Sequence, residues 1–190
     1  MAIKTMSMST GNGQYNEGWH TVTVSKAEYG VWKSPDGNSK RYIDVWFTDY
    51  PENFNLRVYE TFTKETKEEF KIANLFKNAN AGIMSVLKDP TGKRPVIQYD
   101  DEATGLVGKT INVYFYKEEG KDGNQYSKAF DDTAPIEQEG EHLSWTTEQV
   151  AGIKSGVEKR VAKKLSNTSN SAGFATTTTT SDDPFAGMPS

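Results

Sequence analysis

The sequence has no cysteine and only two histidines, His20 and His142, among its 190 residues. The lack of cysteine excludes disulfides and zinc ribbons, and it favours the reducing cytoplasm as the compartment. The histidines do not form a metal-ligand spacing such as H-x-x-x-H, and neither a GxxxxGK(S/T) loop nor a GxGxxG loop is present. These absences predict a protein that is not an enzyme and that holds no cofactor and no metal.

Long apolar runs are missing as well. The N-terminal stretch MAIKTMSMSTGNGQ has no apolar run of signal-peptide length, and no segment approaches about 18 consecutive apolar residues. We therefore expect a soluble intracellular protein.

The net charge is −4, which taken alone argues against a nucleic-acid partner. The position of the charges matters more than their sum. Residues 1–130 contain 17 Lys and Arg against 17 Asp and Glu, whereas residues 131–190 contain 5 against 9. The acid excess belongs to the C-terminal third, and a neutral body can still bind DNA if its basic residues share one face.

Alternation of apolar and polar residues predicts strands over much of the chain. In Arg41–Phe47 (RYIDVWF), the side chains of Ile43, Val45 and Phe47 are expected to face a core and those between them to face outward. The same alternation recurs in GKTINVYFYK. The predicted strands are His20–Tyr29, Arg41–Phe47, Asn55–Phe62, Gly108–Lys117 and Gln125–Phe130.

Apolar residues spaced by three and four predict helical structure in Lys64–Leu87, which Gly82 divides or ends, and an amphipathic helix over Trp145–Leu165. Three strands, a helical insertion and two further strands are the outline of the OB-fold, a five-stranded and partly open barrel. The expected organisation is a flexible arm (1–14), an OB-fold domain (15–135), an acidic linker with the C-terminal amphipathic helix (136–165) and a disordered tail (166–190).

The outward positions of these strands are rich in aromatic residues with basic neighbours. Exposed aromatic rings are costly in water unless a partner covers them, and unpaired bases stack on such rings without sequence preference. Adjacent Lys and Arg side chains would then contact phosphates. The candidate nucleic-acid-binding residues are Trp32, Lys33, Lys40, Arg41, Tyr42, Trp46, Arg57, Tyr59, Tyr114, Tyr116, Lys117, Tyr126 and Lys128.

Other interpretations of these residues remain open. The helices or a second subunit can cover the outer aromatic face, which would make it a second core. The face can also bind another protein, as expected of an interaction module with a neutral body. The acidic triplet Asp100 to Glu102 can hold a divalent ion in a metal-dependent nuclease, although a solvated loop is the commoner meaning of such a run. The C-terminal helix is expected to pack on the barrel, with a second basic surface as the alternative.

The order of these segments resembles the phage-encoded OB-fold single-stranded DNA-binding proteins of replication and recombination modules. The resemblance rests on YGVWKSPDGNSKRYIDVWF, on NLFKNANAGI and on LVGKTINVYFYKEEGKDGNQYSKAF, and it spans about Glu17 to Pro135. It implies a protein that coats single-stranded DNA during replication, recombination and repair, as a monomer or homodimer. A phage origin would place it in the host cytoplasm.

The C-terminal segment Ser181-Asp182-Asp183-Pro184-Phe185 resembles the acidic and hydrophobic tip of bacterial and phage single-stranded DNA-binding proteins. The resemblance implies that Phe185 enters an apolar pocket of a partner while Asp182 and Asp183 meet its basic rim. Such partners are polymerases, helicases or primases, nucleases and recombinases. Residues 186–190 follow the phenylalanine here, so that no terminal carboxylate lies beside it.

Overall fold

The computed structural model describes residues 15–88 and 95–171. This part of the chain is mainly β with two helices, and its main sheet contains five antiparallel strands in the order β3-β2-β1-β6-β7. The N-terminal arm and the acidic tip Asp182 to Phe185 lie outside the described residues. The elements are β1 (Gly18–Lys33), β2 (Ser39–Phe47), β3 (Asn55–Tyr59), α1 (Lys71–Ala79), β4 (Ile83–Lys88), β5 (Pro95–Tyr99), β6 (Thr110–Glu119), β7 (Gln125–Ala134) and α2 (Thr147–Ser171).

Strand β1 is long enough to serve both halves of the sheet. Residues 18–23 pair with β6, whereas residues 24–33 pair with β2. The pairing with β2 has an irregularity between Val24 and Lys26, just after the pairing with β6 ends at Thr23, and β-bulges of this kind bend a strand. The sheet therefore curves until its edge strands β3 and β7 contact each other, although the described residues form no hydrogen-bonded ladder between them.

The main core lies inside this curved sheet. The inward residues predicted from alternation, Ile43, Val45 and Phe47 on β2, are buried, as are Ile111, Val113 and Phe115 on β6. Helix α1 closes one side of the core with Ile72, Leu75 and Phe76. The predicted inner faces of these two strands are therefore confirmed.

The insertion between β3 and β6 differs from its prediction. Helix α1 is shorter than Lys64–Leu87, and Ile83–Lys88 is a strand that pairs with Pro95–Tyr99 in a separate hairpin. The helix stops because Asn80 adopts the left-handed conformation at its end and Gly82 has a φ of +63°. The backbone N–H of Asp100 donates to the carbonyl oxygen of Gly82 at the base of the hairpin. The three- and four-residue spacing near Ile83 was wrong as a sign of helix.

Helix α2 covers the outer face of β6 and β7. Its Val157 and Val161 pack with Tyr116 and Phe130 in a second, smaller buried cluster, to which Trp19 and Tyr114 add partly buried rings. The predicted helix Trp145–Leu165 corresponds to α2, which begins at Thr147 and continues to Ser171, so that residues 166–171 are helical and not part of the expected tail. Of the helices that the structure describes, none combines the length and apolarity needed to cross a bilayer.

Candidate nucleic-acid interface

Helix α2 packs on one half of the outer sheet surface. The other half is formed by β2, β3 and the second half of β1. We call this surface the open wall. The strand register places its outward residues in rows across the three strands, so that Gly30, Tyr42 and Tyr59 form one row and Glu28, Asp44 and Arg57 the next. The outward residues of the open wall are Lys26, Glu28, Gly30 and Trp32 on β1, Lys40, Tyr42, Asp44 and Trp46 on β2, and Arg57 and Tyr59 on β3.

Each of three rings on the open wall carries a cationic group over its face. These pairs join cations and rings that neighbouring strands bring together, at distances typical of cation–π contacts. The Trp46 ring is also oriented by a hydrogen bond of 2.9 Å from its Nε1 to the carbonyl oxygen of Glu52. The distances to the ring centroids are 4.8 Å for Lys26 and Trp46, 5.4 Å for Lys40 and Tyr59, and 4.0 Å for Arg57 and Tyr42.

Tyr42 lies at the centre of the wall, between two neighbours. Its ring leans onto Gly30, where an added Cβ would lie 2.4 Å from the ring atom Cζ and from the hydroxyl. The guanidinium of Arg57 covers the ring, and Tyr59 meets it edge-on at 5.6 Å. The ring of Tyr42 is therefore already in contact with the protein itself.

Arg57 is held by Asp44 of the neighbouring strand. Its Nε and Nη2 atoms donate to the two carboxylate oxygens of Asp44, both at 2.7 Å. Asp44 is only 7% exposed, whereas the side chain of Arg57 is 42% exposed. The hydrogen bonds to Asp44 raise the pKa of Arg57 further above its ordinary value. The pair presents a fixed, planar cation to solvent.

A related arrangement occurs at the rim of the curved sheet. Arg41 alternates with Tyr42 and so lies on the other face of β2, where its guanidinium covers the ring of Tyr29 at 3.7 Å. Nη1 of Arg41 forms an ion pair with Oδ2 of Asp101 at 3.3 Å. The Tyr29 hydroxyl donates a hydrogen bond of 2.9 Å to the carbonyl oxygen of Asp101. Burial, followed by the charge of Asp101, raises the pKa of Tyr29. These residues line an open cleft of about 590 Å³.

The structure corrects the prediction for two aromatic residues on β6. Alternation places Tyr114 and Tyr116 on the outer face, but α2 covers that face. Tyr116 is only 5% exposed, and its hydroxyl accepts a hydrogen bond of 2.5 Å from Nζ of Lys164. Their rings are part of the second core cluster, because a helix distant in the sequence supplies the apolar cover.

The remaining predicted residues lie at the end of the open wall or elsewhere on the surface. Trp32 and Lys33 are exposed at the end of β1, beside the β1–β2 turn. Lys117 is half-buried, whereas Tyr126 and Lys128 are exposed near the β6–β7 turn. The Tyr126 hydroxyl donates to Asp122, and this hydrogen bond is the main reason that the pKa of Asp122 falls to about 2. The structure does not bring these residues of β6 and β7 onto the open wall.

Two basic residues of α2 contact the sheet and thereby hold the helix against it. Arg160 binds Asp132 at 2.6 Å, and Asp132 also binds Lys71 of α1 at 2.7 Å. The Lys154 ammonium lies 5.2 Å from the centre of the Trp19 ring. These contacts agree with the packing role expected for this helix.

The acidic triplet has structural partners. Asp100 accepts a hydrogen bond from the backbone N–H of Glu102, and Asp101 binds Arg41. Within residues 15–88 and 95–171, no group of three or more His, Cys, Asp or Glu side chains is placed to hold a metal ion.

The sequence-based candidates for the interface did not include Lys26, Gly30, Tyr29 and Asp44, and Asp101 was considered only as a metal ligand. Gly30 carried a signal, because a glycine inside a strand often marks a close approach by another group. The pairing of Asp44 with Arg57 carried none, since it depends on the register of β2 against β3. No protein-family model matches the sequence, and a comparison with curated proteins also finds no match.

Proposed function

We propose that the chain is a non-enzymatic single-stranded DNA-binding protein with an OB-fold. The order β3-β2-β1-β6-β7, the contact between β3 and β7 and the position of α1 between β3 and β6 support the OB-fold assignment. Strands β2 and β3 are those on which OB-folds bind oligonucleotides, and the open wall is centred on them.

The observation that carries this proposal is the set of cation-covered rings on the open wall. A surface built from Lys26, Lys40 and Arg57 over three aromatic rings offers phosphate-binding groups and stacking planes at the same place. Its cations outnumber the carboxylates of Glu28 and Asp44 there. The wall is therefore locally positive although the whole chain has a net charge of −4.

Binding would proceed by stacking and by release of counterions. Bases stack on the wall for about 1–3 kcal/mol each, while phosphates contact the cations and release bound salt. The protein would coat single strands during replication, recombination and repair with little sequence selectivity. It would also shift hairpins toward the open strand by mass action. The C-terminal tip Asp182 to Phe185 would recruit partner enzymes.

Tryptophan fluorescence tests the proposal, because the four tryptophans occupy different places. Poly-dT is expected to quench the fluorescence, and added NaCl is expected to weaken the binding. Trp46→Phe should remove much of the quenching. Trp19→Phe is the matched control, since Trp19 packs edge-on against Tyr114 and donates to Glu158 under α2.

The other function classes give different results in the same titration. Absence of quenching at low salt would refute the proposal and favour a protein-interaction module. The exposed apolar residues Met84, Leu87 and Val96 of the β4–β5 hairpin favour that second candidate. Magnesium-dependent cleavage of the strand would instead point to an enzyme that uses Asp100 to Glu102.

A further inference from the structure

The centre of the open wall offers a guanidinium plane in place of an aromatic face. Tyr42 has Gly30 against its ring and Arg57 over it, so a base reaching this position meets Arg57 first. The side chain of Arg57 is 42% exposed despite its contacts with Tyr42 and Asp44. Guanidinium groups are planar and weakly hydrated, and unpaired bases stack on them as they do on aromatic rings.

Asp44 fixes the orientation of that plane. A carboxylate that binds Nε and Nη2 together leaves the guanidinium no freedom to rotate about its terminal bonds. The Tyr42 ring fixes the remaining direction by supporting one face of the group. A side-chain hydrogen bond with Tyr59 holds the guanidinium further, and it also raises the pKa of Arg57.

Resting on the proposed function, we propose that Arg57 is the base-stacking platform at the centre of the wall, and that Asp44 is a positioning residue for it. The ring of Tyr42 then supports the face of the guanidinium that is turned away from the DNA. The nucleic acid recognised at this point is a single strand with an unstacked base, because a paired base does not expose its face.

The two lysine-covered rings are built differently. Lys26 forms an ion pair of 2.9 Å with the exposed Glu28, and an ammonium group has no plane on which a base can stack. The flexible stems of Lys26 and Lys40 allow the ammonium groups to move from the rings to phosphates. Trp46 and Tyr59 then stack bases directly, whereas Tyr42 does so through Arg57.

A purely electrostatic role for Asp44 makes the opposite prediction about the effect of removing its charge. If Asp44 only contributed negative potential to the wall, its neutralisation would strengthen the binding of a polyanion. If Asp44 holds the stacking plane, Asp44→Asn weakens binding although it removes a negative charge. The amide cannot accept one N–H group on each of its two polar atoms, as the carboxylate does, since its nitrogen is itself a donor.

The experiment compares three variants of the full chain by the anisotropy of labelled oligo-dT over a range of salt concentrations. We expect Asp44→Asn to weaken binding about 5-fold or more. Arg57→Lys keeps the charge, so it should lower affinity about 5- to 100-fold, the loss of one stacked base, without changing the salt slope. Glu28→Gln is the comparison for charge alone, since it removes the same charge from the same row and should tighten binding.

The outcomes separate this inference from the proposed function. If the wild-type chain does not bind oligo-dT, the proposed function fails. If the wild-type chain binds but Asp44→Asn binds equally or more tightly, the positioning role of Asp44 is refuted. An Arg57→Lys variant with unchanged affinity would refute the platform. Thermal unfolding of each variant shows whether the fold is retained, and Arg57→Lys tests the platform even if Asp44→Asn unfolds.

Discussion

At the scale of single residues, Gly30 determines where the central ring of the wall lies. A glycine inside a strand is unfavourable by roughly 0.5–1 kcal/mol relative to alanine, because it loses more conformational freedom on folding. Here the Tyr42 ring occupies the space that a Cβ would fill. The missing side chain on β1 therefore lets a ring on β2 lean across the strand and support Arg57.

Gly30→Ala tests this arrangement. The added methyl group should push the Tyr42 ring away from β1 and tilt Arg57, which lowers affinity for oligo-dT several-fold. The free energy of unfolding should change by no more than about 1 kcal/mol, because the colliding atoms belong to the end of a side chain and alanine favours the strand. Anisotropy and urea denaturation measure the two effects.

Gly105→Ala is the matched control for this substitution. A Cβ at Gly105 meets no atom within 4 Å, so the variant should bind as the wild type does. Unchanged affinity of Gly30→Ala would show that the position of the Tyr42 ring does not matter for binding.

At the scale of elements, α2 divides the aromatic outer surface of the sheet into a covered part and an uncovered part. Val157 and Val161 seal the rings of Tyr116 and Phe130, and the ion pair of Arg160 with Asp132 fastens the helix. On the other half of the sheet, Tyr59 keeps its ring at the surface beneath Lys40. Similar residues on different strands of one sheet are thus buried on one side and remain at the surface on the other.

For this reason, replacing a tyrosine by leucine should lower stability on one side of the sheet and DNA affinity on the other. Tyr116→Leu should lower the free energy of unfolding by about 1–3 kcal/mol and leave the affinity for oligo-dT unchanged, because it removes buried contacts. Tyr59→Leu should lower the affinity about 5- to 100-fold with a small effect on stability, because it removes a stacking surface. Urea denaturation and anisotropy provide both readouts. Loss of binding in Tyr116→Leu without loss of stability would mean that DNA displaces α2.

At the scale of the whole molecule, the distribution of charge matters more than the total. The described part of the C-terminal acid excess includes Asp131 and Asp132, which are bound to Lys71 and Arg160. Two further carboxylates, Asp182 and Asp183, belong to the C-terminal tip. A chain of net charge −4 can therefore present a positive wall to a polyanion, because its carboxylates are concentrated elsewhere.

Removal of residues 172–190 tests whether the acidic tip competes with DNA for the open wall. The truncated chain should fold normally, because the residues of both core clusters precede position 172. Its affinity for oligo-dT at low salt should be unchanged or higher, since the deletion removes two carboxylates that compete with the DNA. Anisotropy at low and high salt measures the effect. Weaker DNA binding than that of the full chain would contradict this role of the tip.

Local patterns were sufficient for much of the fold. Alternation with a period of two identified the inner faces of β2 and β6, because it is a property of each strand alone. The same local logic placed α1 and α2, but it failed at Ile83 to Leu87. A short apolar run there fits a helix or a strand equally well, and the conformations of Asn80 and Gly82 with pairing to Pro95–Tyr99 decided for the strand.

The candidate interface could be predicted only in part from local sequence patterns. From the residues alone, alternation indicated which side chains leave the core, and composition indicated that many of them are aromatic or basic. Only the three-dimensional packing decided that α2 covers Tyr116 and leaves Tyr59 accessible, and only the register placed Asp44 beside Arg57. A strand's own period specifies a face, but whether that face is covered depends on residues about 40 positions away.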